Sequence, residues 1–261
     1  QNVAIGYLAL VAQNAGATAY NTAVGSQAGQ AVTTGIQNTL IGGLAGDALT
    51  DADFNVGIGM AALGSDTLGS RSVAVGSGAL STQNFTTATN AYNTAVGYGA
   101  GDLITTGQYN TLMGGEAGDA LTTGNQNVAV GYNSLTADTL GDRNVAIGVS
   151  TLTAQNFTTT TDSYNTAVGA LAGTAVTTGI NNTLIGALAG DALTDADYNV
   201  AIGIQALGGD TLGSRSVAIG SGALQVQNFT TATNSYNTAI GYDAGNKVST
   251  GTNNTLIGGL A

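Results

Sequence analysis

The sequence predicts an all-β fold, a parallel β-roll or β-solenoid of about fifteen short coils. A five-residue phrase, Asn/Ser-(Thr/Val)-(Ala/Leu/Gly)-(Ile/Val/Met)-Gly, occurs fifteen times, from Asn2-Val3-Ala4-Ile5-Gly6 to Asn254-Thr255-Leu256-Ile257-Gly258. Its closing glycines are 19, 17, 17, 17 and 21 residues apart and then follow the cycle 17, 17, 17, 21, so a 72-residue unit of four coils recurs. Pro, Cys, Trp and His are all absent and only 4 Phe are present, so the usual builders of a thick core are missing. A unit that recurs at so short a period cannot bury its apolar face alone and must stack on its neighbours. The 261 residues read as one repeat domain, with super-repeats at 5–76, 77–148, 149–220 and a partial 221–261, and as a segment of a longer chain.

Each coil opens on a strand. The second position of the phrase is always Val or Thr, and the fourth is Ile or Val except at Met113, so β-branched side chains stand two residues apart, the strand period. The third position is Ala ten times, Leu four times (Leu40, Leu112, Leu184, Leu256) and Gly once, at Gly57. Both faces of the strand are therefore apolar, which predicts one turned into the coil's own core and one packed on a second copy of the chain. A corner follows, as in Gly25-Ser26-Gln27-Ala28-Gly29 or Gly76-Ser77-Gly78-Ala79-Leu80, where Gly allows positive φ. A second segment such as Ala31-Val32-Thr33-Thr34-Gly35 completes the coil and predicts a second short strand and turn. The phrase opens with Asn in thirteen coils and Ser in two (Ser72, Ser216), side chains that bond the backbone at turns and stack into ladders. At a strand spacing of roughly 4.8 Å, fifteen coils predict a rod on the order of 70 Å.

Composition narrows the function. Fifteen acidic residues face four basic ones for a net charge of −11, which disfavours nucleic acid and anionic lipid as partners. Low charge with many Thr, Asn and Gly suggests an extracellular or virion surface. The longest apolar stretch, Val3 to Ala12, is too short for a membrane-crossing helix, so no membrane insertion is expected. The lack of Cys and His removes thiolate sites, the commonest general base and the commonest transition-metal ligand.

The phrases Ser72-Val73-Ala74-Val75-Gly76-Ser77-Gly78-Ala79 and Ser216-Val217-Ala218-Ile219-Gly220-Ser221-Gly222-Ala223 resemble the head repeats of trimeric autotransporter adhesins, over nearly the whole chain but with longer coils. The variant Asn93-Thr94-Ala95-Val96-Gly97-Tyr98-Gly99-Ala100-Gly101, with Thr-Thr-Gly turns and Gln-Asn-Phe-Thr-Thr inserts, is similar to fibre proteins of marine cyanophages. The resemblance implies a left-handed, homotrimeric fibre shaft on the virion surface. Its partners would be further copies of the chain, other fibre or baseplate proteins, and a host-surface glycan. The alternative is a bacterial surface adhesin head that itself binds host or matrix glycan or protein.

Three groups of residues are candidates for more than fold. Phe85, Phe157 and Phe229 sit at 72-residue spacing in the inserts of the 21-residue coils. They read either as an exposed row that contacts glycan or as rings folded back to seal the longer loop, and buried area favours the second. Arg71, Arg143 and Arg215 each follow Asp66, Asp138 or Asp210 by five residues, which reads as a recurring structural ion pair, within a loop or across a subunit interface, with anion binding as the lesser alternative. Asp51 and Asp53, and Asp195 and Asp197, offer hard oxygen ligands near Asn55 and Asn199, the kind Ca²⁺ takes. The corresponding Thr122-Thr123-Gly124-Asn125-Gln126 carries no carboxylate, so the fold cannot require a cation and no cofactor is expected.

Catalysis has little footing. One Glu, one Lys and no His leave no evident acid–base pair, although carboxylates meeting across chains could form a glycosidase-like site. Stacked Thr pairs (Thr33-Thr34, Thr105-Thr106, Thr122-Thr123, Thr177-Thr178) raise ice binding, but Asp51 and Asp195 break the column. The reading that follows is a structural fibre, not an enzyme.

Overall fold

A computed structural model describes residues 1–16 and 18–261. Its parallel strands stack as a β-solenoid of fifteen coils, with no helix among the described residues. The chain divides into two compact units, Gln1–Asn127 and Val128–Ala261.

In the first unit seven phrase strands stack in chain order: Val3–Ile5, Thr22–Val24, Thr39–Ile41, Val56–Ile58, Val73–Val75, Thr94–Val96 and Thr111–Met113. The second unit stacks eight: Val128–Val130, Val145–Ile147, Thr166–Val168, Thr183–Ile185, Val200–Ile202, Val217–Ile219, Thr238–Ile240 and Thr255–Ile257. The register places like on like, as in Thr22↔Thr39, Ala23↔Leu40 and Val24↔Ile41. The phrase thus becomes columns running along each unit.

The thin face turns inward. Ala23, Leu40, Ala74, Ala95, Leu112, Ala129, Ala167, Leu184 and Ala201 are fully buried, while the β-branched neighbours on either side are partly exposed. Small residues face in because the coil is narrow, and a larger side chain at this position needs space from its neighbours. Leu40 shows how that space is found. Its two methyls lie where a Cβ on Gly29 or Gly46 would be, 2.8 and 2.7 Å away. In six coils where the strand offers only Ala or Gly, the corner supplies the Leu instead, at Leu63, Leu80, Leu135, Leu152, Leu207 and Leu224, all fully buried and all at positive φ. A left-handed backbone costs about 1–2 kcal/mol, and burying a Leu contributes about 1.5–3 kcal/mol, so the exchange favours the Leu.

The expected second strand is corrected. Ala31-Val32-Thr33-Thr34-Gly35 is a bend, because the carbonyl of Thr50 one coil on accepts from both Thr33 N (2.9 Å) and Gly35 N (3.2 Å), curling the segment round one acceptor. Among the described residues, short second strands form only beside the inserts, where Gly69–Ser70 pairs with Thr89–Asn90, Gly141–Asp142 with Thr161–Asp162, and Gly213–Ser214 with Thr233–Asn234.

From Asn21 to Asn237 the Asn that opens a phrase is buried, and it forms the ladder its repetition suggests. Asn38 donates from its backbone to Asn21 Oδ1 (2.8 Å) and from Nδ2 to Ala52 O (2.7 Å), and its own Oδ1 accepts from Asn55 N (2.9 Å). Each such side chain holds three coils in step.

Candidate functional site

The recurring Asp–Arg motif does not form ion pairs within its own loop. Asp66, Asp138 and Asp210 are fully buried. Asp66 Oδ1 accepts from Gly69 N (3.0 Å) and Phe85 N (3.2 Å), and Oδ2 accepts from Gln83 Nε2 (2.5 Å). Gln83 Oε1 in turn accepts from Asn93 Nδ2 (2.8 Å), so the network closes the ladder where Ser72 replaces Asn. The same links recur at Asp138–Gln155–Asn165 and Asp210–Gln227–Asn237. Sequence reasoning missed Gln83, Gln155 and Gln227, which lie 17 residues on from their Asp in the next coil.

Each Arg stays outside. Arg71 Nε and Arg215 Nε donate to Asn90 and Asn234 at 3.1 Å. Arg143 pairs with Asp162, and both side chains are nearly half exposed, a setting in which such pairs contribute about 0–1 kcal/mol. The guanidiniums also lie over rings: Arg71 over Phe54 at 4.7 Å, Arg143 over Tyr164 at 5.6 Å and Arg215 over Tyr198 at 4.7 Å. The four residues between Asp and Arg cross from the interior to the surface, which is why the two do not pair within the loop.

Phe85, Phe157 and Phe229 are buried, with 4%, 5% and 7% of their surface exposed. They seal the inserts, and the reading of an exposed aromatic row is withdrawn. The calcium candidates are held in the coil stack. Asp51 and Asp195 accept from Thr34 and Thr178, and Asp53 and Asp197 accept from the backbone of Ile36 and Ile180 at 2.8 Å. Asn55 and Asn199 face the interior, bonded to Gly69 O and Gly213 O, so they do not join those carboxylates. Among the described residues no three acidic side chains stand together as a metal site. Asp102, Glu116 and Asp119 line a hollow of about 230 Å³ with Ser77 and Tyr98, and burial, then the Glu116 charge, raises the Asp119 carboxyl above its usual range.

The feature that stands out is an outward face. Along Tyr109-Asn110-Thr111-Leu112-Met113 the side chains alternate exposed, buried, partly exposed, buried, exposed. The residue before the phrase therefore shares a face with its second and fourth positions. In the first unit that column reads Tyr20, Gln37, Phe54, Arg71, Tyr92, Tyr109, Gln126, and in the second Arg143, Tyr164, Asn181, Tyr198, Arg215, Tyr236, Asn253, every one at positive φ. Two neighbouring rings stack along the column: Tyr92 and Tyr109 lie 5.7 Å apart and 14° from parallel. Beside it run the β-branched columns, with Ile41 and Ile147 each 38% exposed. The signal for this face was present in the sequence as a Tyr recurring just before the phrase.

No family model, curated protein or solved structure matches the chain. Its function is therefore read from the geometry.

Burial raises the carboxyls of Asp66 and Asp138 above the ordinary 3.8, against the hydrogen bonds from Gln83 and Gln155 that lower them. Asp47, Asp119, Asp191 and Asp197 shift the same way, with burial the largest cause in each. A carboxyl with a raised folded pKa binds its proton more tightly folded than unfolded, so stability falls as pH rises from 3.8 through the folded value and levels off above it. Thermal melts are expected to show a higher midpoint at pH 4.5 than at pH 7. A midpoint that climbs from pH 4.5 to pH 7 contradicts this.

Proposed function

We propose that the chain is a rigid shaft segment of a homotrimeric, left-handed virion fibre. The observation that carries the reading is the outward face: columns of partly exposed, mostly β-branched side chains along each unit with Tyr and Phe recurring beside them, on a scaffold whose own core is already complete. Exposed apolar surface of this extent marks an interaction site, and a repeat array offers a matching face on every copy. The mechanism is mechanical. Coil-to-coil backbone bonds and the Asn ladder resist bending, three copies bury the outward faces against one another, and the rod holds a recognition tip away from the particle. Fibre or baseplate proteins are its further partners, and a host-surface glycan is met at the tip.

Immunogold labelling with antibody against this segment, on purified virions and on whole cells, tests the assignment. Gold is expected on tail or capsid appendages. Gold confined to cell envelopes contradicts it and makes the chain a surface-adhesin head.

A further inference from the structure

We propose that the Tyr/Phe/Arg column, more than the β-branched columns beside it, anchors one copy of this chain to the next. The inference rests on the homotrimer reading and names the contact residues within it. Four observations support it.

The first is backbone conformation. Each member of the column is held at a φ between 50° and 65°, a region that L-residues other than Asn, Asp and Gly enter at a cost of about 1–2 kcal/mol. Asn181 and Asn253 stand in the same column, so the fold accepts the cheaper residue. The second is exposure. Tyr20, Phe54, Tyr92, Tyr109, Tyr164, Tyr198 and Tyr236 remain 38–56% exposed, so about half of each side chain is left for a partner to cover.

The third is ring orientation. Tyr92 stacks on Tyr109, and Arg71 lies over Phe54 and Tyr92, so at these rings a face is covered and the edge is left to a partner. A sugar stacks on an open ring face, which the stacked rings do not offer. Another protein surface packs well against edges with polar tips. The fourth is area. In the first unit four half-exposed rings of 150–250 Å² each present on the order of 400 Å², and the β-branched columns beside them bring the face of that unit to the scale of the ~800 Å² per partner of an ordinary stable interface. Tyr and Arg are also the residues that most often dominate binding at interface centres.

The test replaces Phe54, Tyr92, Tyr109, Tyr164, Tyr198 and Tyr236 by Gln, the residue already present at Gln37 in the same column. Sedimentation across a concentration series, with circular dichroism to check the coils, is compared with the parent and with a control variant carrying Gln at Tyr98, Tyr132 and Tyr242, just after the phrase glycines. The ladder variant is expected to keep its β-signal and sediment as a monomer where the parent is a trimer, while the control stays trimeric. If the ladder variant does not fold, the double variant Tyr92→Gln/Tyr109→Gln is expected to weaken association at least 10-fold. A folded ladder variant, or a double variant, that associates as the parent does overturns the inference and leaves the homotrimer reading standing. A monomeric parent overturns both.

Discussion

Replacing Gly59 by Ala is expected to destabilise the first unit by on the order of 3–5 kcal/mol, among the largest effects of any single substitution in this chain. Gly59 closes its phrase at φ +134°, a conformation only Gly adopts without strain, and a Cβ there would lie 2.4 Å from Gly76 O and 2.5 Å from Gly76 C. Neither atom can move aside, because both belong to the backbone of the next coil at the equivalent corner. The corner repeats at Gly25, Gly42, Gly76 and Gly97, each with a carbonyl 2.2–2.5 Å from the added carbon. The phrase therefore ends in Gly because the coils approach backbone to backbone there. Gly16 is the natural control, since a Cβ on it meets nothing within 4 Å, and Gly16→Ala is expected to change stability by less than about 0.5 kcal/mol. Urea unfolding followed by circular dichroism reads both. A Gly59→Ala protein as stable as the parent would mean the corners are looser than the stacked geometry requires.

Asn182→Ala is expected to cost about 2–5 kcal/mol. Asn182 Nδ2 donates to Ala196 O at 2.7 Å and its Oδ1 accepts from Asn199 N at 3.0 Å, all in a fully buried column. Truncation leaves a buried carbonyl and a buried N–H without partners, at about 1–3 kcal/mol each, and opens a cavity that the narrow coil cannot collapse to fill. In a stack with nearest-neighbour coupling, the loss is felt by the coils on either side. Hydrogen exchange is expected to show protection falling first at Asn165, Asn182 and Asn199 in the variant. Unchanged protection there would show that the ladder contributes little beyond the strand pairing.

The extent to which the fold was legible follows from where its interactions lie. The coil count and the strand were readable because β-branched residues two apart and a glycine at fixed spacing are local signals. The direction of the strand was not, since Ala and Val are both apolar; the narrowness of the coil decides that Ala faces in. The second strand was overcalled because Thr33-Thr34-Gly35 has strand-like residues, whereas the Thr50 carbonyl that curls it belongs to the next coil. The same distance hid Gln83 from Asp66 and made Arg71, nearer in sequence, look like the partner. Phe85 was read correctly once buried area was weighed against display. The outward ladder was legible in principle, since Tyr recurs before the phrase, but nothing local marks a residue before a turn as standing on the face of the strand that follows.

The central claim is that the outward face joins copies of this chain. Sedimentation equilibrium of the purified chain over a wide concentration range tests it most directly. The account predicts a single species of about three times the 25.5 kDa chain mass, persisting to low concentration. A stable, folded species at the chain mass itself, with the outward columns left in water, would contradict it.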